Sequence, residues 1–197
     1  MTVPFVYLAS KSPRRRELLL QCGVAHQTLA PNAVDETPHP NELPSTYVQR
    51  VARAKAAAGW TALRSANLPA HPVLAADTTV AVGAEILGKP DSAGAAVAML
   101  NLLSGRTHQV FTAVAVAWND RIESALSESK VTMRALTKEE IAHYVGLEEP
   151  MDKAGGYAVQ GRAAIFIERI EGSYSGVMGL PLFETAKLLS GAGLVLI

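Results

Sequence analysis

His108-Gln109-Val110-Phe111-Thr112-Ala113-Val114-Ala115-Val116-Ala117-Trp118 is the clearest long strand in the chain. Val110, Thr112, Val114, Val116 and Trp118 line one side of it, and Phe111, Ala113, Ala115 and Ala117 line the other. Asn119-Asp120 is a turn signal. Arg121 to Leu136 then reads as an antiparallel return strand, more polar and so more exposed. Working outward, strands alternate with helical patterns. Upstream lies an Ala-rich helix from about Ser92 to Leu103, ending before Gly105. Before it, Val73-Leu74-Ala75-Ala76 reads as a short strand buried on both faces that ends at Asp77-Thr78-Thr79. Val80 to Gly83 continues extended, Glu85 to Leu87 is its hairpin partner, and Gly88-Lys89-Pro90 closes the unit. Tyr47, Val48, Val51, Ala52, Lys55 and Ala56 have helical spacing in a helix that starts near Ser45.

The N-terminal unit is a strand, Val6 to Ala9, a turn through Ser10 and Ser12, and a helix from Pro13 to about Cys22 that stops at Gly23. Ser12 is placed as its N-cap and Pro13 at N1, where a missing N–H costs nothing. Ala25 to Leu29 is a short strand, and a loop with four prolines runs from Pro31 to Pro44. Downstream, Thr137-Lys138-Glu139-Glu140 is a capping box opening a helix to about Leu147. Ala163 to Ile170 reads as a strand and Leu182 to Leu189 as a final helix. Interleaved helices and strands with at least one antiparallel pair predict an α/β fold on a mixed sheet.

The 197 residues suffice for one sizeable domain or two lobes sharing a sheet, and 49% hydrophobic against 18% charged residues fits a compact protein. Lys+Arg and Asp+Glu balance at 18 each, so a basic site has to be local and a broad nucleic-acid surface is not favoured. Cys22 is the single cysteine, which rules out an intrachain disulfide and points to a reducing, cytoplasmic setting. It is read as a buried helix residue rather than a nucleophile. The N-terminus lacks the pattern of a secretory signal, and no apolar run approaches the length of a membrane span.

Residues with chemistry collect at element ends. Arg14, Arg15 and Arg16 occupy the first turn of the first helix, where free N–H groups and the dipole already attract anions. With the two serines they make a candidate phosphate site. Asp35-Glu36 sits in the proline-bounded loop, readable as a metal site or as a solvated loop; Asp77-Thr78 after its strand is a site or a turn. Lys55 on the second helix and Lys89 in the Gly-Lys-Pro turn add cations. Cations opposite carboxylates suit metal-assisted phosphoryl chemistry: cations hold a polyphosphate, carboxylates hold a divalent ion, and one carboxylate orients or deprotonates water. The glycine-rich Asp152-Lys153-Ala154-Gly155-Gly156-Tyr157-Ala158-Val159-Gln160-Gly161 is either a bend feeding the next strand or backbone brought close to a flat ligand, with Gln160 as a polar reader. Gly172-Ser173-Tyr174-Ser175-Gly176 and Gly179-Leu180-Pro181 read equally as cleft rim or ordinary loop. The five histidines show no metal-ligand spacing, and P-loop, GxGxxG and Gly-x-Ser-x-Gly patterns are absent.

Taken together, Leu8-Ala9-Ser10-x-Ser12-Pro13-Arg14-Arg15, Asp35-Glu36, Ala76-Asp77-Thr78, Gly88-Lys89-Pro90, Leu103-Ser104-Gly105-x-Thr107-His108, Asp152-Lys153-Ala154-Gly155 and Gly179-Leu180-Pro181 resemble the Maf family of nucleoside triphosphate pyrophosphatases. The resemblance runs from Leu8 to about Leu189. It implies a single Maf-like domain over residues 1–197: a two-lobed mixed-sheet α/β fold related to the inosine triphosphatases, with a cleft between lobes and no separable boundary. It implies hydrolysis between the α- and β-phosphates, a divalent metal (Mg²⁺ or Mn²⁺), and a homodimer. It also implies Asp77 as proton acceptor, Ser10, Arg14, Arg15, Lys55 and Lys89 on phosphates, and Glu36 with Asp77 on the metal. Arg14, Thr78 and Gln160 resemble the branch acting on dTTP and UTP. Thymine and uracil present an O4 acceptor beside an N3 donor, and one amide matches both. A flipped amide suits cytosine equally, so selectivity needs something that fixes the reader. Two alternatives stand beside this: the same reaction on 7-methyl-GTP, CTP or modified nucleotides, and a non-catalytic nucleotide-binding regulator of septum formation. The partner expected is a nucleoside triphosphate, with neither membrane nor nucleic acid.

Overall fold

In chain order, the computed structural model runs β1 (Phe5–Leu8), α1 (Pro13–Gln21), β2 (Ala25–Thr28), α2 (Pro44–Ser65), β3 (Val73–Val82) and β4 (Glu85–Leu87). Then come α3 (Ala93–Leu103), β5 (Thr107–Trp118), β6 (Arg121–Met133), α4 (Lys138–Val145), β7 (Ile167–Glu171), α5 (Tyr174–Met178) and α6 (Leu182–Gly191). It describes residues 4–119 and 121–196; the Asp120 half of the expected Asn119-Asp120 turn lies outside them. The strands form one seven-stranded mixed sheet in the order β2-β1-β3-β5-β6-β7, with β4 paired to β3. β1 is parallel to β2 and β3, and the pairs β3–β5, β5–β6 and β6–β7 are antiparallel.

The two-sided pattern of β5 has a direct packing meaning. Its odd positions, Phe111, Ala113, Ala115 and Ala117, meet Val48, Ala52 and Ala56 of α2. Alanine and glycine let this helix lie close: a Cβ on Gly59 would fall 2.7 Å from Val73 and 2.9 Å from Ala9. The even positions face the other side, where two separate cores form. Val114 and Val116 join Leu74, Ala76, α1 and α6. Val110 joins Val80, α3 and α4. Between those two cores the even face is polar, because Thr78 and Thr112 sit opposite each other in the β3–β5 register. Thr112 donates to Gly176 O at 2.7 Å and lies 3.0 Å from Thr78 Oγ1, so the buried hydroxyl is satisfied by α5. A polar belt thus divides the apolar face and sets the place of the cleft.

Four expectations need correction. The strand expected to end at Asp77 continues to Val82, with Asp77 paired to Ala113 in mid-ladder. Asp is a poor strand former, but the β-branched threonines that follow it favour a strand and nine consecutive pairs with β5 override the local preference of Asp77. The expected Ala163–Ile170 strand is a 3₁₀ turn, Arg162–Phe166, followed by β7. The turn drives Ala163 and Phe166 into the core, where Phe166 meets the Tyr144 ring edge-on at 5.5 Å. β6 stops at Met133 rather than Leu136, because Leu136 N–H is taken by Ser104 Oγ at 2.7 Å and the Thr137 capping box then opens α4. Cys22 caps the end of α1 and is only partly buried, and burial pushes its thiol up. No helix among the described residues is long and apolar enough to cross a membrane.

Candidate active site

A cleft opens beside β3 because its edge is left uncovered there. β1 pairs with it only at Val73 and Leu74, and β4 only from Val80 to Val82. The stretch between, which holds Asp77 and Thr78, has β5 as its one strand neighbour among the described residues. The cavity has a volume of about 840 Å³. Ser10, Arg14, Arg15, Glu36, Lys55, Asp77, Thr78, Lys89 and Gln160 all line it. The structure therefore brings these nine residues into one place, while Asp35 and Arg16 stay outside it.

Adjacent residues on a strand face opposite ways, so Asp77 and Thr78 serve the cleft differently. Asp77 shares the α2 face, is only 7% exposed, and accepts from Lys55 Nζ at 2.8 Å. The same ammonium donates to Glu36 Oε2 at 2.7 Å. Glu36 reaches in from the proline-bounded loop, and α2 holds that loop: Tyr47 Oη donates to Glu36 O at 2.9 Å, and Arg50 donates to Thr37 O at 2.9 Å while clamping Glu42. Burial, reinforced by Asp77 and Glu36, pushes the Tyr47 phenol up to about 12, so it stays a donor. Asp35 does not line the cleft; its Oδ1 accepts from Thr37 N–H at 2.9 Å and fixes the loop.

On the other face, Thr78 Oγ1 accepts from Arg15 Nη2 at 3.4 Å. Arg15 also donates to Ser10 Oγ at 3.2 Å and to Gly179 O at 2.8 Å. Burial lowers its affinity for the proton and the Asp77 carboxylate partly restores it. A guanidinium stays charged through such a shift. Ser12 is the N-cap of α1 by position, yet its side chain makes no capping bond. Its N–H instead donates to Ser10 Oγ at 3.1 Å, which ties the two serines into one turn. Lys11 and Lys89 line the cleft with no ion-pair partner among the described residues, whereas Arg16 points to solvent.

The glycine-rich stretch forms the opposite wall. Gly155, in the left-handed region at φ +69°, donates to Gly88 O at 3.0 Å and packs so closely on Val80 that a Cβ would lie 2.9 Å from it. Gln160 is exposed to the cleft. Gly179, at φ +117°, and Met178 supply the rim, whereas residues 172–176, Leu180 and Pro181 do not line the cleft. Among the lining residues to which the sequence gives no role are Asp152, which meets Arg14 across the opening at 3.4 Å, and Lys153, which binds Glu149 O at 2.7 Å. Burial pushes the Asp152 carboxyl up, but Lys153 and Arg14 outweigh it and hold it below the ordinary value. Charged residues inside a glycine-rich run were the available signal.

A sequence model described as Maf-like protein matches residues 5–192. The chain belongs to the Maf family. This Maf-like chain is 55% identical over 196 residues to a dTTP/UTP pyrophosphatase of Aromatoleum aromaticum, covering 95% of each. It is 54% identical to one from Bordetella avium, covering 98% of each, and 50% identical to one from Nitrosomonas europaea, covering 96% of this chain and 95% of that one.

Proposed function

We propose that this chain hydrolyses dTTP and UTP to the nucleoside monophosphate and pyrophosphate. The observation that carries the reading is Lys55 Nζ held between Asp77 Oδ1 and Glu36 Oε2 at the floor of a cleft whose one wall is cationic. The names of the relatives supply the substrate class. Ser10, Arg14, Arg15 and Lys89 bind the polyphosphate, and Arg15 is the most firmly aimed of them, since three acceptors fix its plane. Asp77, on a rigid strand and nearly out of solvent, orients and deprotonates the attacking water. Lys55 moves to phosphate oxygens once substrate arrives. Gln160 pairs with O4 and N3–H of the base, and Thr78 holds Arg15 in place.

The donor set suits a divalent metal. Two carboxylate oxygens converge on one point, now served by an ammonium. No group of three or more His, Cys, Asp or Glu converges among the described residues, which fits an ion held by one or two carboxylates plus substrate phosphates and water. Glu36 and Asp77 would hold Mg²⁺ or Mn²⁺, which neutralises charge developing on the phosphoryl oxygens. The free thiol of Cys22 supports a reducing, cytoplasmic setting.

The test is a panel of nucleoside triphosphates with Mg²⁺ or Mn²⁺, scored for both products. Pyrophosphate and monophosphate appearing together, with dTTP and UTP preferred, is the expected result. Release of orthophosphate alone rejects it.

A further inference from the structure

Gln160 poses a problem that the site does not itself solve. Its side chain is exposed, and among the described residues nothing bonds its amide. A reader of this kind has to be presented at a fixed place, or the ordering of the chain is charged against each binding event. The backbone on either side of Gln160 shows how the place is fixed.

On the N-terminal side, Tyr157 is buried and its Oη lies 2.7 Å from His108 Nε2. On the C-terminal side, Gly161 N–H closes a turn onto Ala158 O at 3.0 Å. Immediately after it, Arg162 N–H is bound by both oxygens of Glu149, at 3.0 and 3.2 Å. The same carboxylate accepts from Tyr144 Oη at 2.9 Å, and Tyr144 is a core residue of α4. The fit is tight: a Cβ on Gly161 would fall 2.2 Å from Glu149 Oε1. Glu149 thus connects the core to the residues directly behind Gln160. It does not line the cleft.

We propose that Glu149 is the positioning residue of the base-side wall: its carboxylate, clamped on Arg162 N–H and seated against Gly161, sets how far Gln160 reaches into the cleft. The proposal rests on the nucleotide reading above and adds to it the residue that fixes the base reader. Only binding of the base depends on the clamp, because the phosphate groups of the site come from other elements. Glu149 O, which holds Lys153, is main chain and survives substitution of the side chain.

Steady-state kinetics of Glu149→Ala and Glu149→Gln with UTP and dTTP test it, alongside competitive inhibition by inorganic tripolyphosphate, which has no base. Glu149→Ala should raise KM about tenfold, the factor that goes with one lost hydrogen bond, with kcat unchanged to about twofold. Glu149→Gln keeps one acceptor for Arg162 N–H and folds more safely; its KM should rise about threefold. The inhibition constant of tripolyphosphate should stay within about twofold in both. Gly161→Ala should reproduce the KM effect by pressing on the carboxylate, and the double variant with Glu149→Ala should be no worse than the worse single one. Unchanged KM in Glu149→Ala overturns the proposal. So does a parallel rise of KM and the tripolyphosphate constant, or multiplication of the two single effects. The wild type separates the two levels. If it cleaves neither UTP nor dTTP, the nucleotide reading fails and takes the proposal with it. If it cleaves them and the variants keep KM, the proposal alone fails.

Discussion

The wall that carries Ser10, Arg14 and Arg15 comes from one stretch of chain, whereas the wall that carries Gln160 is fixed by His108, Glu149 and Gly88 from three other elements. The first is a turn leading into α1, with charged groups partly exposed and available to a ligand. The second is packed like a core, with Gly155, Gly156, Tyr157, Ala158 and Val159 all buried just ahead of the exposed Gln160. A phosphate is bound by charge, which acts over distance and tolerates small displacement. A base edge is bound by directional hydrogen bonds, which do not. On the proposed reading, the cleft places rigidity where direction matters.

Asp77 lies where the walls meet, so changing it should affect turnover whatever either wall does. Asp77→Asn keeps the shape and removes the proton acceptor. The expected outcome is loss of kcat by about 10³-fold with nucleotide binding kept, measured by pyrophosphate release and by calorimetric titration. A variant as active as the wild type would remove Asp77 from that role. Loss of binding along with turnover would make it part of the phosphate wall instead.

The two walls should also differ in their response to acid. Burial pushes His108 down to about 4 from an ordinary value of 6.5, and it sits under Tyr157. The unfolded chain therefore takes up this proton first as pH falls. Stability from neutral His108 is complete above about pH 6.5 and declines as pH falls toward about 4, by ~3 kcal/mol in all. Urea unfolding at several pH values in that window should show this slope, and His108→Gln should flatten it. Equal slopes in the two proteins would mean that His108 does not carry it. Arg15, the anchor of the opposite wall, stays charged throughout and contributes no such slope.

The same contrast governs what could be read from the sequence. The placement of the cationic wall is legible because Ser-x-Ser-Pro-Arg-Arg states its charge and its helix start within a few residues. Lys55 was visible as a cation on a helix, but its partners Glu36 and Asp77 lie 19 and 22 residues away and only the fold selects them. Asp77 stands out in the sequence but reads as a strand end, since the ladder that carries it depends on β5. The polar belt was hidden for a similar reason: Thr78 and Thr112 become a pair only through register. Glu149 carried no signal at all. A glutamate before Pro150 reads as a loop residue until Tyr144 and Arg162 are seen on its carboxylate.

The smallest effect bears on the base-side wall alone. Gln160→Glu replaces a donor and acceptor pair with two acceptors. The carboxylate still accepts from N3–H of uracil or thymine, but it now faces the O4 acceptor with no donor between them. UTP and dTTP should lose about tenfold in kcat/KM, the worth of one directed hydrogen bond and its unpaired partner. A base that presents two adjacent donors, as guanine does, should lose nothing and so gain in relative terms. The measurement is the ratio of kcat/KM for UTP over GTP. Because the clamps on either side of residue 160 are unchanged, the loss should fall in that ratio and leave tripolyphosphate inhibition where it was. An unchanged ratio would mean that the rigid wall holds no reader, and that selection of the base occurs among the residues facing it.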